Sequence, residues 1–102
     1  MLDVQKLKLK EGFELQYANS IEELEFKKDR FMQQQKITIL KKRYLDKANS
    51  QFEQGILPIK EMLEAQSGLL EAQMKSAEML LDVKLAELNY YKWSNQLIAK
   101  LE

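Results

Sequence analysis

Phe52-Glu53-Gln54-Gly55-Ile56-Leu57-Pro58-Ile59 decides how this chain folds. Gly55 and Pro58 stand within four residues of each other, the only place where the two residue types come so close. Glycine suits the left-handed position just past the end of a helix, and proline suits the first turn of the next. The stretch therefore predicts one chain reversal. Helix one is expected over about residues 3–53, a turn over about 54–57 and helix two over about 58–100. At about 1.5 Å per residue, such helices run to roughly 75 and 65 Å. Two rods of that length joined by so short a turn must lie antiparallel and side by side. The fold class expected is all-α: residues 1–102 as a single long antiparallel helical hairpin, coiled-coil-like.

Outward from the turn, both flanks support helices. Glu, Lys, Leu, Gln and Ala dominate, with three Gly and one Pro in 102 residues. Such a composition favours long helices and disfavours a sheet with many turns. Gly12 and Gly68 each weaken a helix by roughly 1 kcal/mol, but no turn cluster adjoins either, so both helices should run through them. In helix two, Leu69, Ala72, Ser76, Met79, Val83, Ala86 and Tyr90 alternate spacings of three and four. One residue later runs a second stripe, Leu63, Gln66, Leu70, Gln73, Ala77, Leu80 and Lys84. One partner helix covers one stripe, so helix two is expected to need a neighbour on a second side. Helix one is more polar. Phe13, Tyr17, Ile21, Leu24, Phe31, Ile37, Leu40, Tyr44, Ala48 and Phe52 are its expected buried stripe, with the rest in water. Glu23 with Lys27, Lys10 with Glu14 and Lys42 with Asp46 are candidate i,i+4 ion pairs.

Composition excludes several kinds of chemistry. The chain has no Cys and no His, so it lacks disulfides, thiolate ligands, and the commonest general base and metal ligand. Sixteen basic residues balance sixteen acidic ones, which is no field for nucleic acid. No run approaches the roughly 18 apolar residues of a membrane-spanning helix. Met1 is followed at once by Asp3, Lys6, Lys8, Lys10 and Glu11, which is no export signal, so an exported parent would carry this stretch internally. The carboxylate pairs Glu61/Glu64 and Glu22/Glu25 and the run Lys41-Lys42-Arg43 read first as solvated helix faces, and the methionines as packing. Neither an enzyme, nor a cofactor, nor a metal site is expected.

The pattern around the turn is Ala48, Phe52 four later, Gly55 three after that, then Ile59, Leu63-Glu64-Ala65-Gln66, Leu69, Ala72, Asp82 and Ala86. In order and spacing, the stretch from Leu45 to about Leu97 resembles the second periplasmic hairpin of the TolC-like outer-membrane efflux proteins. Residues 1–44 match only in length, polarity and helical character. Departures are Phe52 for the commoner Tyr, Leu57-Pro58 for polar capping residues, Val83 for a Tyr after Asp82, and Ser94-Asn95 where a Gly often ends the helix. The apolar Ile56-Leu57 argues against a polar latch at the turn.

The resemblance implies a segment of a periplasmic α-barrel within a homotrimer of the bacterial outer membrane. Its role would be passive export, in multidrug efflux or type I secretion. Phe52, Gln54, Gly55, Ile56, Leu57 and Pro58 would form the tip that docks a periplasmic adaptor protein, and an inner-membrane pump would supply energy. Glu61 and Glu64 would be the acids of the tunnel aperture, where rings of like charge favour cations. The hairpin of a periplasmic adaptor and a generic coiled-coil interaction module are the alternatives. With one stripe uncovered, the chain alone is expected to form dimers or higher assemblies.

Overall fold

The computed structural model describes residues 2–101, and Met1 and Glu102 lie outside the described residues. Two helices make up the fold: α1 (Leu2–Glu53, 52 residues) and α2 (Ile59–Leu101, 43 residues). They form an antiparallel hairpin, and no strand occurs among the described residues. Both helices run through their glycines, as expected. Gly12 has nothing within 4 Å of where a Cβ would stand. Helix two starts at Ile59, not at Pro58. Pro58 caps it instead, its carbonyl accepting from Glu61 N–H at 3.1 Å and Met62 N–H at 3.3 Å.

The reversal is closed by backbone alone. Gly55 N–H donates to Phe52 C=O at 2.9 Å and Ile56 N–H to Gln51 C=O at 2.9 Å. This is the pair of bonds that ends a helix on a left-handed residue, and Gly55 has φ +75°. Leu57 N–H also reaches Gln51 C=O at 3.2 Å. An L side chain at Gly55 would crowd its own carbonyl, which is why glycine stands there.

Two compact units divide the hairpin: a free-end unit, of residues up to Asp29 and from Leu81 onward, and a turn-side unit, Arg30–Leu80. Within each, α1 and α2 meet along one heptad seam. In the free-end unit α1 contributes Phe13, Tyr17, Ser20, Leu24 and Lys27, all buried or half-buried. Opposite them α2 contributes Val83, Ala86, Tyr90, Trp93 and Leu97. The rings of Phe13 and Trp93 lie 6.0 Å apart, and those of Tyr17 and Tyr90 stack at 5.7 Å. Such ring pairs add about 0.5–1.5 kcal/mol beyond their area. Ser20 turns its Oγ back onto Tyr17 C=O at 2.6 Å, so its burial strands no polar atom.

In the turn-side unit the α2 seam is Met62, Ala65, Leu69, Ala72, Ser76 and Met79, the last four as the sequence spacing predicts. The α1 seam differs from expectation. It runs Phe31, Gln34, Thr38, Leu45 and Ala48, with Lys41 laid across Gly68. Ile37, Leu40 and Tyr44, expected inside, are exposed, as is Phe52 in the last turn of α1. The reason is periodic. A strict alternation of four and three from Phe13 passes through 34, 38, 41 and 45, and the apolar trio sits one residue earlier, about 100° round the helix. Nor do the three expected ion pairs on α1 close to contact distance among the described residues. Lys84 Nζ instead lies 3.5 Å from Glu87 Oε2, one turn along α2. Exposed pairs of this kind gain too little to fix long side chains.

Candidate functional site: the tip and the uncovered flanks

The tip belongs wholly to the turn-side unit. Phe52, Gln54, Gly55, Ile56 and Pro58 are exposed, and Leu57 is half-buried. Leu57 lines a shallow recess of about 140 Å³ with Tyr44, Lys47, Ala48 and Gln51. Gln54 Nε2 reaches Ser50 Oγ at 3.5 Å. Ile56 usually would fold back onto the helix it follows, since such turns carry an apolar contact between that position and the last helical turn. Here it stays 67% exposed. Ile59 and Leu63 are exposed as well, at 3 and then 4 residues from Ile56. The tip thus exposes the apolar Ile56, Ile59 and Leu63 together with the polar Gln54 and Glu61. Of the three apolar residues, only Ile56 stood among the candidate tip residues.

Glu61 and Glu64 are both exposed in the first two turns of α2. Three residues apart, they share a helix face. Negative charge in a first helical turn is favoured by the helix dipole, which is a sufficient local reason for Glu61. Among the described residues no group of three or more acidic, His or Cys side chains gathers to hold a metal. Among the described residues no helix is long and apolar enough to cross a membrane.

The larger feature is on the flanks. The second stripe of α2, Leu63, Gln66, Leu70, Gln73, Ala77, Leu80 and Lys84, is exposed throughout. The exposed large apolar residues of α2 are Ile59, Leu63, Leu70, Met74 and Leu80 in the turn-side unit, and Leu81, Leu85, Leu88, Tyr91 and Ile98 in the free-end unit. On α1, Met32, Ile37, Ile39, Leu40 and Tyr44 in the turn-side unit, and Val4, Leu7, Leu9, Leu15 and Phe26 in the free-end unit, are exposed as well. Both helices therefore carry exposed large apolar residues outside the seam they share. Sequence reasoning found the flank of α2 and missed that of α1. In total the chain exposes 8079 Å². A compact monomer of its 12.1 kDa would expose roughly 6,000 Å².

Charge plays a small part in these surfaces. Tyr17 is one group whose ionisation is displaced: its hydroxyl stands 3.5 Å from that of Tyr90. That hydrogen bond first, then repulsion from an ionised Tyr90, then loss of water hold Tyr17 above the ordinary tyrosine value. This is a seam pair, not a site.

No family model matches the chain, and neither a curated protein nor a solved structure matches it.

Proposed function

We propose that the chain is a wall segment of a TolC-like outer-membrane export conduit, lying in the periplasm and acting without catalysis or cofactor. One observation supports this best. In both units the two helices bury one seam against each other and leave many large apolar residues exposed outside it. A hairpin that serves only as a spacer needs one seam. A hairpin set between other hairpins needs three. In this reading the flanks pack against neighbouring helices of a trimeric barrel, and the chain alone associates into dimers or larger assemblies. The tip, Phe52 to Pro58 extended by Ile59 and Leu63, meets the periplasmic adaptor through apolar contact. Glu61 and Glu64 lie just behind it as the aperture acids. Transport is passive, powered by an inner-membrane pump.

The experiment is done in the full-length protein, expressed with its adaptor and pump in an efflux-deficient host. Leu81→Glu with Leu85→Glu puts two charges on the α2 flank while leaving the seam intact. Loss of trimer on native gels, together with loss of drug tolerance, is the expected result. A normal trimer would remove the lateral role. Recovery of the wild-type protein in the cytoplasmic fraction would remove the conduit reading altogether. For the aperture, Glu61→Gln with Glu64→Gln should change single-channel conductance in planar bilayers, and unchanged conductance rejects that assignment.

A further inference from the structure

In the free-end unit the two helices differ on the face turned away from their shared seam. On α2, Leu81, Lys84, Leu88, Tyr91, Asn95 and Ile98 alternate spacings of three and four. They lie about 150° round the helix from the seam residues Val83, Ala86 and Tyr90. All six are exposed, and the four large apolar ones stay 54–65% in water. The matching face of α1 carries Glu11, Leu15, Ala18, Glu22, Glu25 and Asp29, likewise exposed and four of them acidic.

A stripe with heptad spacing fits another helix of the same repeat. A second copy supplies one, because the stripe complements itself. Set antiparallel about a two-fold axis between Leu88 and Tyr91, the layers run Leu88 against Tyr91, Lys84 against Asn95 and Leu81 against Ile98, each occurring twice. Apolar meets apolar, and polar meets polar. Slipping by one heptad would set Lys84 against Leu88. A parallel pairing would set Lys84 against Lys84 of the other copy. Lys84 also keeps Glu87 at 3.5 Å, so it enters its layer as half of an ion pair and not as a lone charge. The α1 face offers no such fit, since its acids would meet acids or the apolar layers of α2. That face stays in water, and the association closes at two copies. Surface is ample: the chain exposes about 2,000 Å² more than a compact monomer of its mass, whereas a standard interface takes about 800 Å² from each partner.

We infer that this α2 face is the docking surface for a second copy of the chain, which lies on it antiparallel in a two-fold pair. Lys84 and Asn95 set the register, as single polar residues do in an apolar seam. The pairing concerns the chain by itself and does not rest on the conduit reading.

The chain has no cysteine, so Leu81→Cys and Ile98→Cys each give a variant with one thiol, at an exposed position. The two variants are mixed in equal amounts in a glutathione redox buffer. The mixed disulfide should exceed either symmetric one by about tenfold or more, because like positions would stand about 25 Å apart, beyond disulfide reach. Symmetric disulfides in excess, or the random proportion of all three, overturn the antiparallel pair. Sedimentation equilibrium of the unmodified chain should give twice its 12.1 kDa. A monomer at the highest concentration, or a mass that climbs past two copies, also overturns it. Leu88→Ala, in the layer beside the axis, should weaken the pair about tenfold or more while helical circular dichroism is kept. An unchanged dissociation constant would put the contact on another face.

Discussion

The free-end and turn-side units use the same heptad geometry and fill it in different ways. The free-end seam is bulky: Phe13 and Tyr17 meet Tyr90 and Trp93 ring against ring. The turn-side seam mixes Phe31, Leu45, Met62, Leu69 and Met79 with small residues and with the polar Gln34 and Thr38, which meet Ala72 C=O. The free-end seam is held by area; the turn-side seam adds to area the hydrogen bonds to Ala72 C=O and the turn that closes it.

The comparison breaks hardest at Trp93. Trp93→Ala removes one of the largest seam side chains. For a half-buried ring the loss should be about 2 kcal/mol, below the 3–5 kcal/mol of a fully buried aromatic. Urea unfolding followed by circular dichroism measures it. Less than half a kcal/mol would mean that the free-end unit is not held by its rings. Gly55→Ala comes next, because alanine at φ +75° is strained. It should lower stability by about 1–2 kcal/mol, and an unchanged urea midpoint would show that the turn has relaxed to another form.

Gly68→Ala should act in the other direction. A Cβ there meets only the Lys41 stem, at 4.0 Å, which is ordinary contact. Alanine's better helix propensity should then raise stability by about 0.5–1 kcal/mol. Destabilisation would show that the turn-side seam closes more tightly on Gly68 than this spacing implies.

The smallest effect is alkaline. Tyr17 ionises above the ordinary value of 10.0, so the folded state favours its neutral form. Its contribution is complete below pH 10 and is lost as pH rises through the displaced value. Absorbance titration of phenolate should show Tyr17 ionising late, returned toward 10 by Tyr90→Phe. A titration unmoved by Tyr90→Phe would separate the two hydroxyls.

Much of this was legible before any coordinates. Gly55 and Pro58 fixed the reversal, since each is the residue that a helix end or a helix start requires. The α2 seam from Leu69 to Tyr90 was readable because its three-and-four spacing is carried by apolar or small residues throughout. On α1 the same logic failed at particular places. Ser20, Lys27, Gln34, Thr38 and Lys41 give no hydrophobic signal, while Ile37, Leu40 and Tyr44 give a strong one at the correct spacing and the wrong phase. Hydropathy reports how greasy a face is and not which face points inward. The choice is shown by the burial of Phe31, Leu45 and Ala48 in the other phase and by the hydrogen bonds to Ala72 C=O. At the tip, Phe52 to Pro58 followed from the turn itself, whereas Ile59 and Leu63 looked like ordinary helix residues until their exposure was known.

The Gly55 reversal is built from main-chain groups, with Ile56 contributing its amide and not its side chain. Architecture and recognition are thereby decoupled at this end of the molecule. Residues 56 and 59 can drift without unfolding the chain, provided the glycine stays. Such a tip can change partners one substitution at a time, like a plug whose pins are replaced while its body is left alone.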